Sequence, residues 1–390
     1  MSDGDTNRIA ERAESVVLDT RLGAVKAWRE KTQGHAIGHL PVYTPREVIE
    51  AAGALPVGIL GAGDQMEIIR GDAYFQSYIC QLPRSVIEMG LTNRLDCLDG
   101  MVFPATCDVI RNMSGMWQML FPDKLVHYLD VPHNHDMEVG GRFYANQLKH
   151  LAAAITKVTG VEATDARLRT AIAAQNENRV LVDQLYDLRA EKPQAVPTDQ
   201  LYVIVRAGYQ LPIAEHTALL REYLAAARKA EAPELDQARV IVVGTFCEQP
   251  PIGLIRTLER SGCYIVDDDL IIGARFVEGP VATDGDPWTA LARAWIEKGR
   301  ATPSRYVQHE DKGAWLVEQC KRRRAEGVIF CAPSFCDPAL LEQPMLEHAL
   351  EAAGIPYTAF KYAENTAQFQ AIREQSGTFA DSIKLWSDAP

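Results

Sequence analysis

Two patterns alternate along the chain: short apolar runs bounded by turn residues, and longer stretches with apolar positions at helical spacing. Ala36 to Val42 reads as a buried strand, and Thr44-Pro45-Arg46-Glu47 carries an N-cap, a proline at the first helical position and a capping box. Gly53 ends that helix, and Leu55 to Leu60 reads as the next strand. Strand, helix and strand joined by short connections imply a parallel pair with a right-handed crossover. The alternation continues with a helix over Ser85 to Met89, a strand over Asp99 to Ala105, a helix over Cys107 to Phe121 and a strand over Lys124 to Leu129.

From about 142 to 235 the pattern is helical throughout, with Thr164 as an N-cap. Strands then return at Arg239 to Gly244, Cys263 to Val266, Gly327 to Cys331 and Ile355 to Phe360. Between them lie helices at Ile252 to Arg260, Lys312 to Ala325 and Pro338 to Ala353, with a last one from about Thr366 to Trp386. The fold class this predicts is α/β, two parallel-sheet domains with an N-terminal helix and a helical connector. The expected divisions are 1–145, 146–235 and 236–390. No short-period repeat is visible, although the two α/β halves could be distant structural relatives.

Composition adds exclusions. The chain is 47% hydrophobic and 24% charged, ordinary for a folded protein. Its net charge of -12 argues against a large nucleic-acid footprint and leaves room only for a local basic patch. No apolar run spans a bilayer, and the charged start MSDGDTNRIAERAESVV shows no signal peptide, so a cytoplasmic protein is expected. There, eight cysteines suggest ligands, catalysts or packing groups in place of disulfides.

In open parallel sheets, ligands collect where strand ends lead into helix N-termini. Cys107 in ATCDVIRN, Cys247 in GTFCEQPP and Cys336 in PSFCDP fall in such turns, and Cys80 in YICQLPRS precedes another helix. Free backbone N–H groups and the helix dipole favour thiolate there. No CxxC is present, which disfavours zinc ribbons, dithiol redox motifs and ferredoxin-type runs. GAGDQ at 61–65 is too short for a dinucleotide fingerprint, and without a GK[ST] no ATP site is expected on this chain. No Gly-x-Ser-x-Gly elbow marks a hydrolase. His133 to Asp136 reads as a polar turn, Asp267 to Asp269 as a solvated or capping loop, and Lys321 to Arg324 as a solvated helix end. Cys97, Cys263, Cys320 and Cys331 are assigned to packing.

TPREVIEAAGALPVGILGAG, the cysteine contexts ATCDVIRN and PSFCDP, and the ending KYAENTAQFQAIREQSGTFADSIKLW resemble the benzoyl-CoA reductase and 2-hydroxyacyl-CoA dehydratase family. Within it, GDAYFQSYICQLPRS and GTFCEQPPIGLI resemble the C-type branch of the ATP-dependent benzoyl-CoA reductases. The likeness runs from about residue 20 to 386. It implies two flavodoxin-like domains holding a [4Fe-4S] cluster between them on Cys80, Cys107 and Cys336. The implied role is in the catalytic module of an oxidoreductase acting on CH–CH bonds, with ferredoxin as donor and coupled ATP hydrolysis. Benzoyl-CoA would become cyclohexa-1,5-diene-1-carbonyl-CoA in anaerobic aromatic degradation. The implied partners are a related B-type catalytic subunit, ATPase subunits of types A and D, ferredoxin and the aryl-CoA substrate.

Two other readings stay open. One is a subunit of a 2-hydroxyacyl-CoA dehydratase, which eliminates water by radical chemistry. The other is a cluster-bearing electron-transfer subunit with no substrate site, in which Cys247 would complete the ligand set. The proton donor is unassigned among Glu248, Asp337, His39 and Tyr43.

Overall fold

The computed structural model of the protein describes residues 3–244, 250–307, 311–363 and 369–387. The first half contains β1 (His35–His39), β2 (Ala54–Gly58), β3 (Gly100–Pro104) and β4 (Leu125–Leu129), which form a wholly parallel sheet in the order β2-β1-β3-β4. The second contains β5 (Ala238–Val243), β6 (Cys263–Asp268), β7 (Gly327–Pro333) and β8 (Tyr357–Tyr362), also parallel, in the order β6-β5-β7-β8. The two halves share one strand order, and the α/β class expected from the pattern is the class observed.

Helices α1 (Asp3–Leu18), α2 (Gly23–Thr32), α3 (Arg46–Ala51), α4 (Gln81–Leu91) and α5 (Asp108–Leu120) accompany the first sheet. Helices α6 (Arg142–Thr159), α7 (Asp165–Glu191), α8 (Thr198–Ala207) and α9 (Ile213–Ala227) connect the sheets. Helices α10 (Ile252–Arg260), α11 (Pro287–Lys298), α12 (Lys312–Arg323), α13 (Asp337–Ala353) and α14 (Phe369–Ser387) complete the chain. Every residue of β7 is buried, as a central parallel strand covered on both faces requires. Ile329 and Cys331 pack with α10 and α14, while Val328 and Phe330 pack with α12 and α13.

Some local expectations change. The capping box before α3 does not form: Pro45 is the residue that caps the helix, and the Thr44 hydroxyl reaches back to the Leu40 carbonyl. Glu47 is instead buried against Arg179 of α7, an ion pair that a helix-start motif cannot foresee. Thr164 does cap α7, accepting from the Arg167 backbone N–H. Asp267 and Asp268 are strand residues, not solvated loop. Asp268 pairs with Arg189 at 2.6 Å with both side chains fully buried, and Asp267 binds Arg275 at 2.8 Å and Arg323 at 2.9 Å. Arg323 therefore lies buried, at a helix end whose charge run predicts solvent. Burial works against ionisation of Asp267, but Arg275, Arg323 and Arg300 outweigh it and hold the carboxyl below its ordinary range.

Helix α11 falls outside the elements that the pattern predicts, and it ties the halves together. Asp286 caps it, Pro287 opens it, and its Leu291 and Trp295 join the core of the first sheet. Another seam contact is backbone on backbone. A Cβ on Gly273 would stand 2.1 Å from the Pro41 carbonyl oxygen and 2.6 Å from the Tyr209 hydroxyl.

Gly273→Ala is expected to lower stability by about 1–3 kcal/mol, because a carbonyl cannot rotate out of the way as a side chain can. Gly115→Ala in α5, where nothing lies within 4 Å, is the control and is expected not to lower it. Denaturant midpoints of the two variants check this; equal values would refute the steric account. A second prediction concerns pH. Burial raises the Glu259 carboxyl to about 7, against hydrogen bonds from Thr198 that lower it. A folded-state pKa above the unfolded one stabilises fully below about 4.5, and the gain disappears as pH rises through about 7. Glu259→Gln is therefore expected to gain stability over the wild type by up to about 3 kcal/mol between pH 5 and pH 8, as read by denaturation at both values.

Candidate functional site

Each of the cysteines expected to act together occupies the position just before a helix: Cys80 before α4, Cys107 before α5 and Cys336 before α13. Two of these turns are versions of one sequence. β3 ends at Pro104 and β7 at Pro333, and each is followed by two residues, a cysteine and an aspartate that opens the helix, in Pro104-Ala-Thr-Cys107-Asp108 and Pro333-Ser-Phe-Cys336-Asp337. β3 and β7 hold the same place in their sheets, so Cys107 and Cys336 are topological counterparts.

Local backbone fixes these turns. Phe335 adopts φ +66°, a left-handed conformation uncommon for an aromatic residue, immediately before Cys336. Its ring is half exposed. The segment leading to Cys80 is pinned by Glu88 of α4, whose carboxylate accepts backbone N–H groups from Ile69 (2.9 Å), Arg70 and Gly71 (2.7 Å). Burial opposes the ionisation of Glu88, but the three amides outweigh it and lower its pKa.

Cys80, Cys107 and Cys336 line one cavity of about 330 Å³. Asp337, Ser304 and the apolar side chains of Leu82, Ile110 and Leu341 complete much of its wall. Burial pushes the Cys107 thiol up, while the Ile110 and Val109 amides favour its ionised form. The helix end expected to produce a thiolate thus does not overcome desolvation unaided, and Asp108 and Asp337 add to the rise. No disulfide joins the described cysteines. Among the described residues, no three His, Cys, Asp or Glu side chains converge closely enough to hold a single metal ion.

The donor set fits a polynuclear group better than a single ion. A mononuclear site needs its sulfurs about 2.3 Å from a common centre. Here the thiols are spread round a cavity, each at a helix N-terminus able to stabilise negative charge.

The remaining candidates separate. Cys263, Cys320 and Cys331 are buried among apolar side chains, and half-buried Cys97 packs against the first core. Cys247 and Glu248 lie outside the described residues. His39 is buried, binds the Leu40 carbonyl through Nδ1 at 2.9 Å, and burial lowers its pKa to about 4. It does not line the cavity. Asp136 serves its own turn by accepting from the Glu138 and Val139 amides. Among the described residues, no helix is long and apolar enough to cross a membrane. Ser304 is a wall residue that sequence pattern does not point to, since it sits in a connecting loop with no motif around it.

Known proteins share this chain's length and pattern. The family described as 2-hydroxyglutaryl-CoA dehydratase, D-component, matches residues 41–383. The chain is 51% identical over 384 residues to the C subunit of the benzoyl-CoA reductase of Thauera aromatica, covering 98% of this chain and 100% of the relative. It is 28% identical to the beta subunit of the (R)-phenyllactyl-CoA dehydratase of Clostridium sporogenes, over 91% of this chain and 93% of the relative. It is also 28% identical to the beta subunit of the (R)-2-hydroxyglutaryl-CoA dehydratase of Acidaminococcus fermentans, over 93% of this chain and 95% of the relative. With a family match across most of its length and a full-length relative at half identity, this chain belongs to the 2-hydroxyglutaryl-CoA dehydratase D-component family.

Proposed function

We propose that this chain is the C-type subunit in the catalytic module of an ATP-dependent, ferredoxin-driven benzoyl-CoA reductase, and that Cys80, Cys107 and Cys336 hold a [4Fe-4S] cluster. The observation that carries the proposal is a single cavity lined by three cysteines from three distant segments, in a chain half identical to a benzoyl-CoA reductase subunit. The dehydratase relatives stand further away, at 28% identity. The proposed partners are a related B-type catalytic subunit, ATPase subunits of types A and D, and ferredoxin. The proposed compartment is the cytoplasm, where ATP and reduced ferredoxin are both supplied.

When bound, a four-iron cluster on three thiolates supplies single electrons at low potential and leaves one iron without a protein ligand. The chain's own residues do the rest. At the start of α5 the Ile110 and Val109 amides favour the charged form of Cys107 against its desolvation, and Cys80 and Cys336 occupy the corresponding positions before α4 and α13. Apolar Leu82, Ile110 and Leu341 line the cavity and limit water around a reactive aromatic intermediate. Because the cavity is shared between the sheets, any shift of one relative to the other separates Cys336 from Cys80 and Cys107.

The test uses the anaerobically purified complex containing this chain, with ferredoxin and ATP, given benzoyl-CoA and a 2-hydroxyacyl-CoA in parallel. Wild type is expected to remove the aromatic absorbance only when ATP is present. Cys107→Ala is expected to lose iron, its low-temperature EPR signal and activity, whereas Cys97→Ala keeps all three. Dehydration of the hydroxyacyl-CoA with the aromatic thioester untouched would overturn the reductase reading. Full iron and activity in Cys107→Ala would overturn the ligand assignment.

A further inference from the structure

The cavity has a fourth side. Cys80 lies in the connection from β2 to α4, Cys107 between β3 and α5, and Cys336 between β7 and α13. By the shared strand order, the counterpart of the β2–α4 connection is the one from β6 to α12, and its residues Pro303 and Ser304 line the same cavity. Where a repeat of the first half would bring another cysteine loop, the second half brings a hydroxyl.

That hydroxyl is not isolated. The Tyr43 phenol oxygen lies 2.7 Å from Ser304 Oγ and also hydrogen-bonds Thr302 Oγ1. Tyr43 is held with unusual firmness for a loop residue. Its φ is +71°, and its ring meets Phe276 at 5.0 Å and Trp295 at 4.7 Å, both edge-on. A strained aromatic residue persists only where its surroundings fix it. Tyr43 also lines a second cavity of about 60 Å³ beside Glu47, Arg179 and Tyr144, large enough for a few waters. Tyr43 and Ser304 thus bridge a small polar cavity to the three-cysteine cavity.

We propose that Ser304 is the immediate proton donor to the substrate ring and that Tyr43 is the positioning residue that reloads it. This rests on the reductase reading above. Reduction of the ring takes two electrons, delivered singly from the ferredoxin-fed iron–sulfur donor, and two protons. As a C–H bond forms on the reduced ring, the Ser304 O–H bond breaks. The Ser304 oxygen takes the Tyr43 proton, and Tyr43 takes one from water in the smaller cavity, whose hydroxide is neutralised by proton exchange with bulk solvent. The reloaded pair delivers the second proton after the second electron. A weak acid suits this task, because a ring radical anion is basic enough to take its proton. A stronger acid beside a low-potential reductant would instead divert electrons to hydrogen.

The experiment compares wild type with Tyr43→Phe, Ser304→Ala, Ser304→Thr and Asp337→Asn in the intact anaerobic complex. Iron content and the reduced-state EPR signal, read before substrate is added, are expected to match wild type in Tyr43→Phe and both Ser304 variants. With benzoyl-CoA, kcat in Tyr43→Phe and Ser304→Ala is expected to fall by about 10²-fold or more with KM little changed. Ser304→Thr, which keeps the hydroxyl, restores most of it, and the solvent deuterium effect on kcat grows in Tyr43→Phe. Unchanged kcat in both hydroxyl-deletion variants overturns the relay, as does a loss of kcat confined to Asp337→Asn. Loss of iron in Ser304→Ala also overturns it, in favour of a role in holding the cluster. If wild-type complex loads iron yet never reduces benzoyl-CoA, the reductase reading fails instead.

Discussion

The candidate site depends on one constraint: two parallel sheets must be locked in a fixed relation, because its thiols come from both sides of the seam. Cys80 and Cys107 follow strands of the first sheet and Cys336 follows a strand of the second. The lock is mostly steric. Gly273 lies against the Pro41 backbone with no room for a methyl group, and Tyr43 is held by Phe276 and Trp295 from the far half of the chain. Cys336 itself belongs to the first sheet's core cluster, together with Ala332 and Ala339. Cores of this density repack in discrete steps and do not drift, so the seam keeps the three cysteines around one cavity.

Electrostatics decide which crevice stays open. The second sheet has a further cavity at the carboxyl ends of β5 and β6, lined by Val242, Val243, Asp267 and Asp268. There, Asp267 and Asp268 meet Arg275, Arg323 and Arg189, and the Arg275 guanidinium lies 3.4 Å from the centre of the Tyr186 ring. Only about 50 Å³ of space remains, under Trp315 and Leu316. Removing one member would strand a buried charge at a cost of several kcal/mol, so this lattice is rigid. It joins β6 to α7 of the connector and to α12, and it leaves the inter-sheet cavity as the roomier site.

Much of the fold is legible because parallel strands and covering helices write distinct periods into the sequence. Ile252–Arg260 has the same ends in pattern and in structure, and Thr164 caps where its position predicts. The misreadings share a cause. Glu47, Asp267, Asp268 and Arg323 are charged residues whose partners lie far away in sequence, so local pattern assigns them to caps or solvent. Helix α11 escapes the pattern although it opens on the same Asp-Pro pair as α13, because no strand precedes it directly; in α11 the aspartate is the cap, and in α13 it is the first helical residue behind Cys336. Helix-start contexts single out Cys80, Cys107 and Cys336 together with Cys247, and only the family resemblance narrows them to three, because spacing in the sequence carries no information on their meeting. Ser304 leaves no sequence trace, since its position follows wholly from the packing of a long loop.

The repeated Pro-x-x-Cys-Asp turn explains how such a site arises and where its chemistry must be tuned. A shared strand order places the two turns at equivalent points, and facing the sheets across a seam brings both cysteines to one cavity. A strict repeat would make the rest of the cavity symmetric as well. It is not, because the β2–α4 connection ends in Cys80 at a helix N-terminus, while the β6–α12 connection wanders through α11 before presenting Pro303 and Ser304. The duplicated turns are fixed by strand ends and helix starts, and they cannot change without moving a sheet. The repeated turns therefore place Cys107 and Cys336, while the two loops that break the symmetry bring Cys80 to one side of the cavity and Ser304 to the other.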